Sequence, residues 1–158
     1  MPSLKTPERI INTLLIILFL NTCLCFAEPA EVIAEDINLR TDSRASSEII
    51  CTVGKNTVVE VITEAYEWYK IRLPDYAPAY VKKELFECLE DREGCQKAKA
   101  IKSGINVRLS PDLSSAIVGM IDEEETLTVL KEEEGWYKIT PPKNSYGWIH
   151  RRFLKITP

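Results

Sequence analysis

Histidine is almost missing from this chain of 158 residues; His150 is the only one. Cys88 and Cys95 stand at a C-x6-C spacing with no histidine nearby, which is a poor zinc signature. Glycine is also sparse, with six residues, and none form a phosphate-cradling loop. Charge of one sign is weak. A formal net charge of −4 is a mild acidic balance, and nucleic acid wants a basic face. The short basic stretch "HRR" at 150–152 has no interleaved aromatics. Beyond residue 30 no segment keeps a helical period. These absences argue against a metal enzyme, a nucleotide enzyme, a nucleic-acid binder and a helical bundle. A Cys–His hydrolase would need Cys51 as nucleophile and His150 as base. Cys51 lies in the apolar run "EIICTV", and the acidic run "DEEE" (122–125) lacks the unequal environments that separate an acid from a base. No catalytic residue and no cofactor is expected.

The first residues differ from the rest. Lys5 and Arg9 precede a run from Ile10 to Ala27 with no charge, ending in small residues before "EPAEV". This pattern predicts an export signal over 1–27, cleaved after Ala27. A retained anchor helix is the alternative, although Asn12, Asn21 and Thr22 interrupt a run already short for a bilayer of about 20 residues. Lipid attachment at Cys23 is a third. Every version exports the remainder, to the periplasm or the cell surface, and the membrane is involved only through this segment. Three cysteines then remain. In an oxidising compartment Cys88 and Cys95 are close enough to close a small loop, contributing at most about 2–3 kcal/mol. Cys51 reads as a small buried thiol.

What the chain has is a repeat. "EWYKI" at 67–71 returns as "GWYKI" at 135–139, 68 residues later. The same offset carries "INLR" (37–40) onto "INVR" (105–108), Ser46-Ser47 onto Ser114-Ser115, Pro74 onto Pro142, and "AYV" (79–81) onto "GWI" (147–149). No gap is needed from 32 to 86. One fixed offset over that length marks a duplicated unit. The expected boundaries are 31–86 and 98–158, with 87–97 ("ECLEDREGCQK") as linker. Each copy, at about 60 residues, is near the lower limit for independent folding. "NTVVEVI" and "ETLTVL" alternate and are rich in β-branched residues, and breakers recur between short apolar runs. The fold class expected is all-β, as small barrels or sandwiches.

Each copy resembles a bacterial SH3 domain. The matching signals, in order and twice, are "INLR"/"INVR", Ser-rich turns, "IICTV"/"IVGMI", "VVEVI"/"TLTVL", "WYKI", and "AYVKKEL"/"GWIHRRFL". The resemblance implies two small SH3-like β-barrels in tandem and a non-catalytic binding module. It further implies cell-wall peptide or peptidoglycan as the ligand. The other reading is an envelope protein–protein adaptor that binds extended segments. The first copy departs from the pattern at Cys51, Glu67 and Ala79, where the second has Gly119, Gly135 and Gly147, which bears on whether both copies bind ligand alike.

Alternation in "WYKI" places Ile71 and Ile139 in the core with Tyr69 and Tyr137, and Trp68 and Trp136 outward beside Lys70 and Lys138. Val81 and Ile149 likewise point in, so Tyr80 and Trp148 point out. The candidate ligand-binding residues are therefore Trp68, Tyr80, Trp136 and Trp148, with Tyr146 extending a groove. The competing reading is that loops cover these rings and they only seal the barrel rim. Arg40 and Arg108 are expected to tie loop carbonyls, and Asn38 and Asn106 to stabilise turns. The acidic runs 122–125 and 132–134 are expected as solvated turns; a sharper reading makes them a negative rim that favours a cationic ligand.

Overall fold

The computed structural model describes residues 27–90 and 94–157. The expected export signal, apart from Ala27, lies outside the described residues. The alternating runs form strands throughout. In the first copy these are β1 (Glu28–Val32), β2 (Ile37–Arg40), β3 (Ile49–Val53), β4 (Val58–Ala65), β5 (Trp68–Arg72), β6 (Tyr80–Lys82) and β7 (Phe86–Cys88). In the second they are β8 (Lys97–Ala100), β9 (Ile105–Arg108), β10 (Ile117–Ile121), β11 (Thr126–Glu133), β12 (Trp136–Ile139), β13 (Tyr146–His150) and β14 (Leu154–Ile156). One 3-10 turn precedes β7 (Lys83–Leu85) and one precedes β14 (Arg151–Phe153).

The 68-residue offset is obeyed by the backbone as well as by the letters. Positive φ recurs at Asp36 and Gly104, at Asn56 and Glu124, and at Tyr66 and Glu134. The register shifts between Val61 and Thr63, and again between Val129 and Lys131. Each such shift is a bulge that bends its strand and lets a short sheet curl over its own core. The tight turn of the second copy has left-handed conformation at both Glu134 (φ 42°) and Gly135 (φ 83°). In the first copy Tyr66 alone is left-handed, at φ 55°, so Glu67 avoids the conformation that glycine tolerates best.

The strands do not segregate by copy. One seven-stranded sheet has the order β14-β1-β4-β5-β13-β2-β3, and the other β10-β9-β6-β12-β11-β8-β7. The first sheet is therefore the first five strands of copy one plus the last two of copy two, and the second is the first five strands of copy two plus the last two of copy one. The arm β13–β14 pairs Trp148 with Lys70 and His150 with Trp68. The arm β6–β7 pairs Tyr80 with Lys138 and Lys82 with Trp136. These are the same register at the same offset, so the two copies have exchanged equivalent arms. The expected barrels are not closed: β14 and β3 end one sheet, and β10 and β7 end the other. The stretch 87–97, expected as a linker, is held at both ends. Its ends belong to β7 and β8, which pair as a hairpin, and a Cys88–Cys95 disulfide with Cα atoms 5.8 Å apart ties the connection.

The core follows the alternation. Ile71, Val81, Ile139 and Ile149 are fully buried, Tyr137 lies in the core, and Tyr69 packs against it. Asn38 and Asn106 differ from expectation. They sit mid-strand, opposite Thr52 and Met120, and not in turns.

Side-chain size favours the exchange. In the first sheet the incoming arm brings Gly147, where a Cβ would stand 2.7 Å from Leu39 Cγ and 3.0 Å from Ile50 Cδ1. In the second sheet the corresponding arm residue is Ala79, and the residues equivalent to Leu39 and Ile50 are the shorter Val107 and Val118. If each copy kept its own arm, the Ala79 methyl would meet Leu39 and Ile50. Gly147 would then face the two valines across a void. Overpacking of this kind costs about 1–3 kcal/mol, and a lost methylene about 1 kcal/mol. Gly147→Ala should accordingly lower stability in urea by about 1–3 kcal/mol. Combined with Leu39→Val and Ile50→Val, the loss should be smaller than the sum of the separate losses; strict additivity would contradict the packing argument.

Candidate functional site

The arms complete two grooves related by the same offset. In the first, copy one supplies Asp36, Asn38, Arg40 and Trp68, and the arm of copy two supplies His150, Arg152 and Phe153, around a volume of about 220 Å³. In the second, copy two supplies Asn106, Arg108 and Trp136, and the arm of copy one supplies Lys82 and Leu85, around about 190 Å³. Trp68 and Trp136 thus stand at equivalent places, as do His150 and Lys82, and Phe153 and Leu85. Neither groove is lined by one copy alone.

Both floors are built alike. Strand alternation turns Asn38 and Arg40, or Asn106 and Arg108, to the outer face. Arg40 then donates from Nη1 to the Ser47 carbonyl at 2.7 Å, and Arg108 to the Ser115 carbonyl at 2.8 Å. This is the loop-tying role expected for the pair. The loops are tightened further by Asp42 and Asp112. Ser43 N–H donates to Asp42 at 2.7 Å, and this bond, with the Arg44 guanidinium, holds the Asp42 carboxyl below its usual value. Ser114 Oγ and N–H donate to Asp112 at 2.7 and 2.6 Å and lower its pKa in the same way.

The walls differ. In the first groove the Trp68 and His150 rings lie 5.3 Å apart between centroids, and His150 and Phe153 6.1 Å apart. The Arg152 guanidinium sits 4.5 Å from the Phe153 ring centre. His150 Nδ1 accepts from the Arg152 N–H, and Nε2 is 3.6 Å from a Glu67 carboxylate oxygen. This half-buried ladder of rings is wide enough for a flat or extended group to lie along. In the second groove Trp136 is only 5% exposed. It faces away from the core as the alternation requires, but the Lys82 ammonium lies 4.7 Å from its ring centre. The expectation of a freely outward Trp136 is corrected accordingly: cross-strand pairing with Lys82 brings that residue's ammonium over the indole.

The remaining candidates fall outside the grooves. Trp148 and Tyr80 are half-buried on the outer sheet faces, opposite Arg40 and Arg108. Tyr146 lies under the Lys70 ammonium, 4.6 Å from the ring centre, and does not extend either groove. The expected acidic rim is partly neutralised. Glu132 pairs with Lys83, Glu133 with Lys131 at 2.7 Å, and Glu124 with Lys99 at 2.5 Å. Residues not expected beforehand to bind ligand are His150, weighed only as a catalytic base, Arg152, noted only in a basic stretch, and Phe153, Leu85 and Lys82. The signal was present, since "HRRF" and "KKEL" occupy equivalent positions, but their meaning depends on which sheet receives them.

A family profile described as "Bacterial SH3 domain" matches residues 35–87 and again 103–155, a pair of matches offset by the same 68 residues. The chain belongs to this family. It is a tandem bacterial SH3 protein, and domains of this kind are commonly binding modules, often for the cell wall. No curated protein matches the chain.

In this tandem SH3 chain Cys51 is a poor nucleophile. Burial pushes its thiol up to about 11, so it is protonated at neutral pH. Alkylation of Cys51 by iodoacetamide should stay slow at pH 7–8 and rise about tenfold per pH unit towards pH 11. A plateau reached near pH 8–9 would show an ordinary exposed thiol.

Proposed function

We propose that this protein is an exported, non-catalytic binding module that holds cell-wall peptide in the groove of Trp68, His150 and Phe153. The observation that carries the reading is the ladder of three rings in an open groove. It sits on a floor whose loop is pinned by Arg40, in a family whose members commonly bind the wall. Rigid rings contribute contact area at low entropic cost, and the pinned loop is ordered before a ligand arrives. The charged amino terminus and apolar run support export. The protonated Cys51 thiol, and a His150 whose two ring nitrogens face Glu67 and a backbone N–H, support binding without chemistry.

The test is co-sedimentation of the chain from Ala27 onward, which holds every described strand, with purified peptidoglycan. The chain should pellet at low and moderate salt. Trp68→Ala should weaken retention about tenfold, the equivalent of about 1.4 kcal/mol, while Trp148→Ala, outside the groove, should bind normally. A chain that stays in the supernatant, or a Trp68→Ala variant retained like the parent, overturns the proposal. Crosslinking in cells to one dominant protein, with no wall fragments, would favour the adaptor reading instead.

A further inference from the structure

The two grooves share a floor but not a charge. The second is ringed by three cations, Lys82 from the exchanged arm and Lys102 and Arg108 from copy two, with Leu85 and Leu113 between them and no carboxylate in its lining. The first groove, by contrast, contains Asp36. Neither Lys82 nor Lys102 has a carboxylate within ion-pairing distance among the described residues, although Lys83, Lys99 and Lys131 all do. Arg108 uses one nitrogen on the Ser115 carbonyl, leaving other donors of its fork unassigned. Asp112 is near enough to feel the Arg108 charge, but its carboxylate is held by Ser114.

Like charges gathered around about 190 Å³ repel one another unless something neutralises them. The volume is enough for one compact anionic group. We infer that this groove is a site for a compact carboxylate, the free carboxyl terminus of a peptide, assembled only because the arm of copy one is delivered to copy two. Two features favour a peptide terminus over a polyanion. Leu85 and Leu113 offer an apolar flank for the side chain beside the carboxylate. On the other side of Trp136 lies a hollow lined by Lys131 and three glutamates, of which Glu132 and Glu133 are ion-paired and Glu134, with no ion pair among the described residues, would oppose a chain carrying further negative charge. The site goes beyond the wall-peptide reading, since any peptide with a free terminus qualifies and Trp68 takes no part.

The experiment is an NMR titration of the chain from Ala27 onward, following the Trp136 indole N–H, assigned by its disappearance in Trp136→Phe. The probes are acetyl-Leu-Ala with a free carboxylate, the same dipeptide amidated, and inorganic phosphate. The free acid should shift the Trp136 signal with an affinity at least tenfold above the amide and above phosphate, and should weaken as salt is added. Lys82→Gln with Lys102→Gln should reduce that affinity about tenfold while leaving the Trp68 signal in place, and Lys102→Gln alone, at an exposed position that leaves the Lys82–Trp136 contact intact, should weaken binding in the same direction. Equal binding of acid and amide, tighter binding of phosphate, or an unaffected double variant would each overturn the inference. Failure of the peptidoglycan co-sedimentation alongside a successful titration counts against the wall reading alone.

Discussion

The structure depends on how one backbone position meets two side chains. At Gly147 the incoming strand passes so close to Leu39 and Ile50 that no Cβ fits between them. The equivalent crossing in the other sheet has Ala79 over two valines. Two copies of one ancestral pattern have thus diverged into a pair of unlike joints, each fitting the partner copy's arm better than its own. Hydrogen bonding cannot make that choice, because the ladder registers are the same at the fixed offset in both sheets. Packing volume can, since interiors are dense enough to register a single methyl group.

From that choice follows the character of the binding surface. An arm is a strand, a 3-10 turn and a second strand, and its turn carries the residues that close a groove. The first floor receives His150, Arg152 and Phe153, and the second receives Lys82 and Leu85. Similar floors with different lids give one chain an aromatic groove and a cationic one. The pinned loops at Ser47 and Ser115 stay common to both, as expected of a part that sets shape and leaves selectivity to the lid.

Much of this was legible in the residues. The offset of 68 showed the duplication without any fold assumption, and strand alternation within each copy predicted the core positions Ile71, Val81, Ile139 and Ile149. The exchange was not legible, and the reason is physical. Equivalent arms have equivalent hydrophobic alternation, so a pattern of apolar and polar letters reads the same whichever sheet the arm joins. The differences at 79 and 147 were visible as departures from the family pattern, but only distances to Leu39 and Ile50 turn them into a steric instruction. Burial of Trp136 was hidden for a similar reason. The Lys82 ammonium lies over its ring, and a lysine in sequence reads as a mark of solvent. Asn38 and Asn106 were assigned to turns on propensity, and strand pairing overrode it.

The pairing of β1 with β14 has one more implication. Ala30 lies opposite Ile156, so the strand by which the chain enters the fold and the strand by which it leaves are hydrogen-bonded neighbours on one sheet. Anything joined upstream of Glu28 or downstream of Ile156 hangs from that shared margin. The second sheet, with its cationic groove, is attached through internal connections and through the bridge between Gly119 and Ser145. A pull applied at either end would load the β1–β14 ladder first and peel it pair by pair, and the second sheet would feel the load only through the internal connections and the Gly119–Ser145 bridge.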